Sequence, residues 1–406
     1  MKSLTTGFLI IGAGVVGVSI ARELKLRYPK TSVTILEKEK EPGLHSSGRN
    51  SGVLHSGIYY PPDSLKATVC TQGAREMAEY CQEHKLPLNR LGKLLIPVNT
   101  ADVPQLDLLE TRAKANGIQV ERLDTQQLYS IEPEVRSANG EALFVAQTAV
   151  VNSQKTFGKL VNEAKDLGIA IQCNNNIHSV NPAKRILQWG QDTIHYGHII
   201  NAAGLHADTV AQQFGIGKRY TLLPFKGIYW KLDPASGIRV NHLIYPVPDL
   251  RVPFLGVHTT TSTEGITYLG PTAVPAFGRE NYRGLQDVTL TELLRINKLL
   301  IQQFVVNQDG FRRLTWQEGR RYFKPWFAQA AQALLPRLQA KHLLPSDKVG
   351  IRSQILDQHT GKLVNDFLVE QSENATHVLN AISPAFTSAF PFARYICDHY
   401  IEKRSL

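Results

Sequence analysis

The sequence predicts an α/β fold, α+β overall, in which a domain built on a parallel sheet is interleaved with a second domain of mixed sheet. Three observations carry this expectation. Residues 7–37 read as strand, glycine turn, helix and strand, the opening of a parallel βαβ unit. Helical and strand patterns then alternate to about residue 200, give way to strand from 219 to 270, and return as helices and short strands. No Gly/Ser-rich or Pro-rich linker and no internal repeat separates these blocks, so the two domains share the chain in separated segments.

Composition narrows the class. A chain of 406 residues has room for two or three domains, and 43% apolar with 20% charged residues is ordinary for a folded core. Cys70, Cys81, Cys173 and Cys397 are far apart and form no C-x-x-C pair. That excludes a disulfide scaffold and a zinc ribbon and fits a reducing compartment. The net charge of +10 suits an acidic substrate, a nucleic acid or an anionic membrane and does not choose among them. The apolar run 8–21 is shorter than the ~20 residues that cross a bilayer. With Lys2 ahead of it the run imitates a signal-peptide core, but its glycines have another use.

The first strand, 8–11, is apolar throughout and runs into Gly12-Ala13-Gly14-Val15-Val16-Gly17, a G-x-G-x-x-G turn. Gly12 allows the tight turn, Gly14 lets a phosphate approach, and Gly17 lets helix and strand pack closely. A helix follows to about residue 28, and its free N–H groups favour an anion. The next strand, 32–36, ends at Glu37, which is placed to accept hydrogen bonds from both ribose hydroxyls. The unit is therefore Rossmann-type and binds a dinucleotide.

Segment 43–60 crowds glycines and serines around Arg49, His45 and His55. Small residues let backbone lie flat against a planar ligand, and their hydroxyls and amides bind its polar rim. Helix 64–84 carries Leu65, Val69, Ala74, Met77 and Cys81 along one face, which makes Cys81 and Cys70 core residues, not nucleophiles. Strands at 93–98, 119–123 and 142–151 alternate with helices near 102–116 and 124–130. Ser153 caps a helix that Gly168 closes, and strands follow at 169–173, 176–180 and 193–200. The last of these ends in the small-residue turn Asn201-Ala202-Ala203-Gly204. Helices return at 289–306 and 316–335, strands at 350–357, 363–370 and 376–381, and a final helix spans about 386–402.

These stretches resemble flavoproteins of the D-amino-acid-oxidase-type superfamily, most closely the L-2-hydroxyglutarate dehydrogenase/oxidase family. The resemblance rests on the 12–17 turn with Glu37 and Lys38, on segment 48–66, on the block 241–258 (NHLIYPVPDLRVPFLGVH) and on the run 349–388. It implies a Rossmann-type FAD-binding domain at 1–84, 142–215 and 350–406, and a mixed-sheet substrate domain at 85–141 and 216–349. It also implies FAD as cofactor. Gly12, Gly14, Gly17, Glu37 and Lys38 would hold the ADP half, and Ser47, Gly48, Arg49, Asn50, Ser51 and Gly52 would line the pyrophosphate and flavin. Ile177 falls where the superfamily places a Val whose backbone meets adenine, and Ala203-Gly204 matches its second nucleotide turn. Ser383, Pro384, Ala385, Phe386 and Thr387 match the segment that closes on the flavin. The chain departs from the family pattern at Arg49 (a His expected), Lys226 (an Arg) and Ile382 (a Pro).

The implied activity is oxidation of L-2-hydroxyglutarate, a small acidic substrate, to 2-oxoglutarate, with oxygen or a quinone-type carrier as acceptor. An amino-acid oxidase or glycerol-3-phosphate dehydrogenase on the same fold is the alternative, as is an FAD-binding protein that docks at membranes without turnover. A hydroxy acid gives its Cα hydride to the flavin while a base takes the hydroxyl proton. His258 and His55 are the candidate bases, because an imidazole titrates near working pH, while His206 and His242 read as structural. Gly350-Ile351-Arg352 resembles the superfamily's G-x-R motif, so Arg352 would fork the α-carboxylate. Lys226, Tyr60 and Lys66 are candidates for the second carboxylate. Residues 312–341 hold seven Lys/Arg against one acid, interleaved with Trp316, Tyr322, Phe323, Trp326 and Phe327. That segment is either a solvated helix with its aromatics in the core or a docking face for anionic lipid; no nucleic-acid partner is expected. The expected location is the cytoplasm, with the inner face of a membrane as the docking alternative.

Overall fold

The computed structural model describes residues 3–174, 176–250 and 254–402. Lys2, residues 251–253 of the 241–258 block and residues 403–406 of the final domain segment lie outside the described residues. The chain divides into two units, one of Met1–Arg49, Ser153–Pro224 and Arg352–Leu406, the other of Asn50–Asn152 and Phe225–Ile351.

The first unit is built on an eight-stranded sheet. Its centre is parallel: Ser3–Ile11 lies between Asp192–Asn201 and Val33–Leu36, with Leu9 opposite both Ile199 and Thr34. Leu9, Ile10 and Ile35 are fully buried, as a parallel strand covered on both faces requires. Ala170–Gln172 extends the parallel set on one side and Ala375–Asn380 on the other. Strands Ile177–Asn181 and Ile186–Trp189 join antiparallel to the start of Asp192–Asn201. The helix Ser153–Asp166 buries Thr156, Phe157, Leu160, Val161 and Ala164, a stripe at helical spacing.

The second unit holds a five-stranded, a four-stranded and a three-stranded sheet. In the four-stranded sheet, Lys93–Ile96 pairs with Leu243–Pro246 and Ala142–Val145. Strand alternation sends Leu94, Ile96 and Ile244 into one core with Phe327, Leu335 and Leu338. It sends Leu95, Leu243 and Tyr245 into a second core with Tyr59, Leu106 and Leu109. Cys70 and Cys81 are fully buried on helix Leu65–Glu83.

Several details differ from the sequence expectation, among them the strand expected at 363–370, which is Leu368–Ser372. Segment 142–151 breaks into Ala142–Val145 and Ala149–Val151, which belong to different sheets. Helix 316–335 is two helices, Phe311–Arg321 and Lys324–Gln332, because Pro325 can start a helix but not continue one. The strand expected from 350 begins at Leu343, and the last helix is Ala389–Ile396 followed by a wider turn, Cys397–Ile401. The unit boundaries also shift. Residues 50–84 and 142–152 fall in the second unit, since Ala149–Val151 pairs with both Val53–Leu54 and Leu88–Arg90, and so do residues 350–351. Residues 216–224 fall in the first, since Tyr220–Leu222 pairs with Ile355–Asp357.

Candidate functional site

In the first unit, strand Ser3–Ile11 delivers the chain into a turn that admits no side chain. Gly12 has φ +101°, and a Cβ there would lie 2.5 Å from the Ala202 carbonyl oxygen. A Cβ on Gly17 would collide with the carbonyl oxygen of Gly12. Gly14 is the N-cap of helix Val15–Arg27 and supplies no side-chain cap, so the Val15 amide donates to Ser47 Oγ at 2.8 Å. A helix start made of backbone amides and one hydroxyl is a setting for a phosphate.

Glu37 stands at the end of Val33–Leu36, where Oε2 accepts from the Ala13 amide at 2.8 Å and Oε1 from the Glu39 amide at 3.0 Å. Two backbone donors thus fix its carboxylate beside the glycine turn, where a nucleotide ribose is read. Lys38 ion-pairs with Glu39, whose carboxylate also meets His45 Nε2 at 3.0 Å. The 43–48 turn closes on itself through Gly48 N–H to the Gly43 carbonyl at 3.0 Å, and Arg49 folds back, its Nε donating to the Leu44 carbonyl at 2.8 Å.

After strand Asp192–Asn201, Ala202 N–H donates to the Ile11 carbonyl at 2.9 Å and Ala203 N–H to Asn201 Oδ1 at 3.2 Å. Gly12, Gly14, Gly17, Glu37, Ser47 and Ala203 therefore gather where the parallel strands end, the usual ligand edge of such a sheet. Gly204 follows at φ +53°. Ile177 stands apart, half-buried at the start of an antiparallel strand opposite Trp189. Residues 383–387 form the loop into helix Ala389–Ile396, whose Phe390 ring lies 5.5 Å under the Arg22 guanidinium of helix Val15–Arg27. A cradle that a Cβ would fill, a helix start, a hydroxyl and a fixed carboxylate fit a dinucleotide.

The second unit begins with Asn50, whose Oδ1 accepts from the Gly52 amide at 2.9 Å, and Ser51, whose Oγ accepts from Val53 N–H at 3.3 Å. Deeper in this unit His258 is buried, with Nδ1 2.9 Å from the Gly256 carbonyl oxygen. A carbonyl only accepts, so Nδ1 carries a proton in this bond, and in a neutral ring the basic nitrogen is then Nε2. Tyr245 stacks on this imidazole with centroids 3.8 Å apart and planes 16° apart. Tyr245 and Tyr59 also flank Lys93, whose Nζ is 5.6 and 4.7 Å from their ring centres.

Lys93 is wholly buried, and its Nζ has no hydrogen-bond partner among the described residues. Desolvation brings its pKa down to about 8, and the same burial pushes the Tyr59 hydroxyl well above its usual value. Cys70, within electrostatic reach of Lys93, donates Sγ–H to the His55 carbonyl at 3.1 Å. Both histidine candidates thus border one buried cluster.

The remaining candidates are dispersed. Lys66 Nζ lies 5.4 Å over the Tyr60 ring. Lys226 is buried, which lowers its pKa, and donates to Asn281 Oδ1 at 3.1 Å. Arg352 is the last residue of strand Leu343–Arg352. The backbone amides of Asn241 and His242 both donate to Glu132 Oε2 at 2.9 Å, a structural setting for His242. Sequence reasoning missed Lys93, Tyr59 and Tyr245; the available signal was one lysine inside the apolar run Leu91-Gly92-Lys93-Leu94-Leu95-Ile96.

A family model described as FAD dependent oxidoreductase matches residues 8–399. An L-2-hydroxyglutarate dehydrogenase of Indibacter alkaliphilus is 34% identical, covering 97% of this chain and 98% of that one. The mitochondrial L-2-hydroxyglutarate dehydrogenase of Homo sapiens is 33% identical, covering 98% and 89%. Among solved structures, an L-alpha-glycerophosphate oxidase from Mycoplasma pneumoniae with FAD bound aligns with a TM-score of 0.73 at 22% identity, over 96% of this chain and 93% of that one. Glycine oxidase from Geobacillus kaustophilus aligns at 0.70 and 16% identity, over 97% and 94%. These likenesses to solved structures establish the shared fold.

Proposed function

This chain belongs to the FAD-dependent oxidoreductase family, and from that premise we propose that it oxidises L-2-hydroxyglutarate, or a close 2-hydroxy diacid, to the 2-oxo acid. The observation that carries the reading is the 33–34% identity, over nearly the whole chain, to relatives named for that activity. The glycine turn, Ser47, Glu37 and the Ala203 turn would hold the FAD, with residues 48–52 and 383–387 toward the flavin. When bound, FAD supplies the acceptor for the hydride that leaves Cα.

The chain's own residues do the rest. His258 accepts the hydroxyl proton at Nε2, the nitrogen that its bond to the Gly256 carbonyl leaves basic. The stacked Tyr245 ring fixes the plane of that imidazole. His55 is the second choice of base. Arg352 forks the α-carboxylate and so aims Cα, while a further cation takes the distal carboxylate. Oxygen or a quinone-type carrier reoxidises the enzyme.

Anaerobic titration tests the reading. The yellow holoprotein should bleach with L-2-hydroxyglutarate and not with amino acids or glycerol 3-phosphate. Bleaching only with one of the latter would replace the hydroxy-acid reading.

One surface favours a peripheral place on the inner face of a membrane. Eleven large apolar side chains exposed in the 285–326 region include Leu290, Leu294, Ile301, Trp316, Phe323 and Trp326. Of the aromatics expected in the core, only Phe327 is buried. Arg312, Arg313, Arg320, Arg321 and Lys324 lie among them, a match for anionic headgroups. Among the described residues no helix is long and apolar enough to cross a membrane.

A further inference from the structure

The five-stranded sheet of the second unit has one face in the core, through Leu232, Leu269 and Leu343 packed with Phe327 and Leu335. Alternation along the strands turns Tyr229, Tyr268 and Gly270 to the other face. His258 is paired directly with Gly270, so the candidate base shares that face. Lys348, on strand Leu343–Arg352, lies there too: its Nζ is 4.5 Å from the Tyr268 ring centre and 5.4 Å from that of Tyr229.

Lys348 is a cation without a counter-ion among the described residues. Glu264 is near enough to favour its charge but makes no ion pair with it, and burial takes its pKa down to about 8. It differs from Lys93, which is fully enclosed, because it is only partly buried. It differs from Lys226, whose ammonium is held by Asn281 Oδ1 while the Asn281 amide is itself anchored by the carbonyls of Gly284 and Gln286. A desolvated ammonium braced by two aromatic rings gains most from an arriving carboxylate.

We propose that Lys348 is the recognition group for the second carboxylate of a dicarboxylic 2-hydroxy acid, with Tyr229 and Tyr268 holding its ammonium in place. The proposal rests on the 2-hydroxy acid reading above. It makes Lys348 the residue that separates a diacid from a monoacid of similar length. Arg352, the candidate for the α-carboxylate, ends the same strand four residues later.

The test compares L-2-hydroxyglutarate with L-2-hydroxybutyrate on wild-type and Lys348→Met holoenzyme. A lost charge-assisted bond should lower kcat/KM for the diacid about 10- to 150-fold, mainly through KM, and leave the monoacid and the FAD spectrum unchanged. Lys348→Arg should recover part of the loss. Equal losses for both substrates, or none for either, would overturn the assignment. Failure of the underlying reading shows separately, as a wild type that neither acid reduces. If Lys348→Met does not fold, the wild type still decides. Its KM for the diacid should rise as pH passes about 8 and the ammonium deprotonates, while the monoacid KM stays flat. Strand alternation puts Tyr229, Lys231, Tyr268 and His258 on this face, with Glu264 in the adjoining turn, as the other titratable groups; burial pushes Tyr268 up, so it remains neutral there. Parallel KM curves for the two acids would overturn the proposal as well.

Discussion

A side chain at position 17 has nowhere to go, because the Gly12 carbonyl occupies the place of its Cβ. Gly17→Val must push helix Val15–Arg27 off the strand end and spoil the phosphate seat. Overpacking of this kind amounts to about 1–3 kcal/mol, so FAD affinity should fall ~10-fold or more. The ratio of flavin to protein absorbance after dialysis reports it; full flavin retention would remove the glycine turn from the site. Lys93 makes the opposite kind of prediction. Its ammonium is buried without a hydrogen-bond partner among the described residues, so Lys93→Met, similar in shape and uncharged, should raise stability at neutral pH by about 1–4 kcal/mol. The sign with pH follows from the depressed pKa. The unfolded chain binds this proton up to about 10.5 and the folded chain only to about 8, so this site adds stability as pH rises between them. Lys348 behaves alike and burial lowers Lys226 too, so the variant should lose part, not all, of the wild-type slope in urea midpoints measured across that range. An unchanged slope would mean that Lys93 is neutralised by a group outside this cluster.

At the scale of elements, three helices carry the membrane reading. Leu290–Val306 leaves Leu290, Leu294, Ile301, Val305 and Val306 exposed, and Phe311–Arg321 and Lys324–Gln332 add Trp316 and Trp326. A helix face of this composition buries its apolar side chains in the headgroup layer while arginines meet the phosphates. The triple variant Trp316→Ala, Phe323→Ala, Trp326→Ala should lose co-flotation with anionic vesicles, by ~10-fold or more in partition. Flavin content and turnover of a soluble substrate should persist, since these residues lie outside the candidate site. Wild type that never co-floats at low salt sinks the idea. The strand Ala375–Asn380 gives a second prediction at this scale. His377 is fully buried, accepts from Asn201 Nδ2 at Nδ1 at 3.3 Å, and is held down to about 4 by desolvation. Its folded pKa is below the unfolded one, so its contribution is present above about 6.5 and lost as pH falls toward 4. His377→Gln should flatten the acid limb of the stability curve by about 1 kcal/mol or more.

For the whole molecule, the prediction follows from charge. A net +10 attracts a dianionic substrate through diffusion and docking. Raising ionic strength should lower kcat/KM for the diacid more than for a monoacid, and stopped-flow flavin reduction resolves the two. Equal salt slopes would mean that the positive charge is directed elsewhere, as toward the helices of the membrane reading.

The nucleotide half was legible because its information is local. Glycine spacing, the apolar strand before it, the helix after it and Glu37 at the next strand end all lie within residues 8–37, and sterics at Gly12 and Gly17 leave one solution. Helix 64–84 and its buried cysteines were legible for the same reason, since a periodic apolar stripe declares its own face. The boundaries at 142–151 and 343 were not, because a strand such as Leu343–Arg352, with Ser346, Asp347 and Lys348 in it, is defined by its partner and not by its own polarity. Nor does periodicity tell whether an amphipathic helix hides its aromatic face, which is why Trp316 and Trp326 had two readings. Tyr59, Lys93, Tyr245 and His258 are a cluster only after sheet pairing sets Leu243 beside Lys93 and ring packing brings Tyr245 onto His258. The sequence by itself determined the glycine turn and the strand–helix–strand frame that suit a dinucleotide. Only the tertiary structure decided which cations are enclosed, tied or only partly buried, because desolvation depends on everything packed around a charge and nothing in the neighbouring residues encodes it.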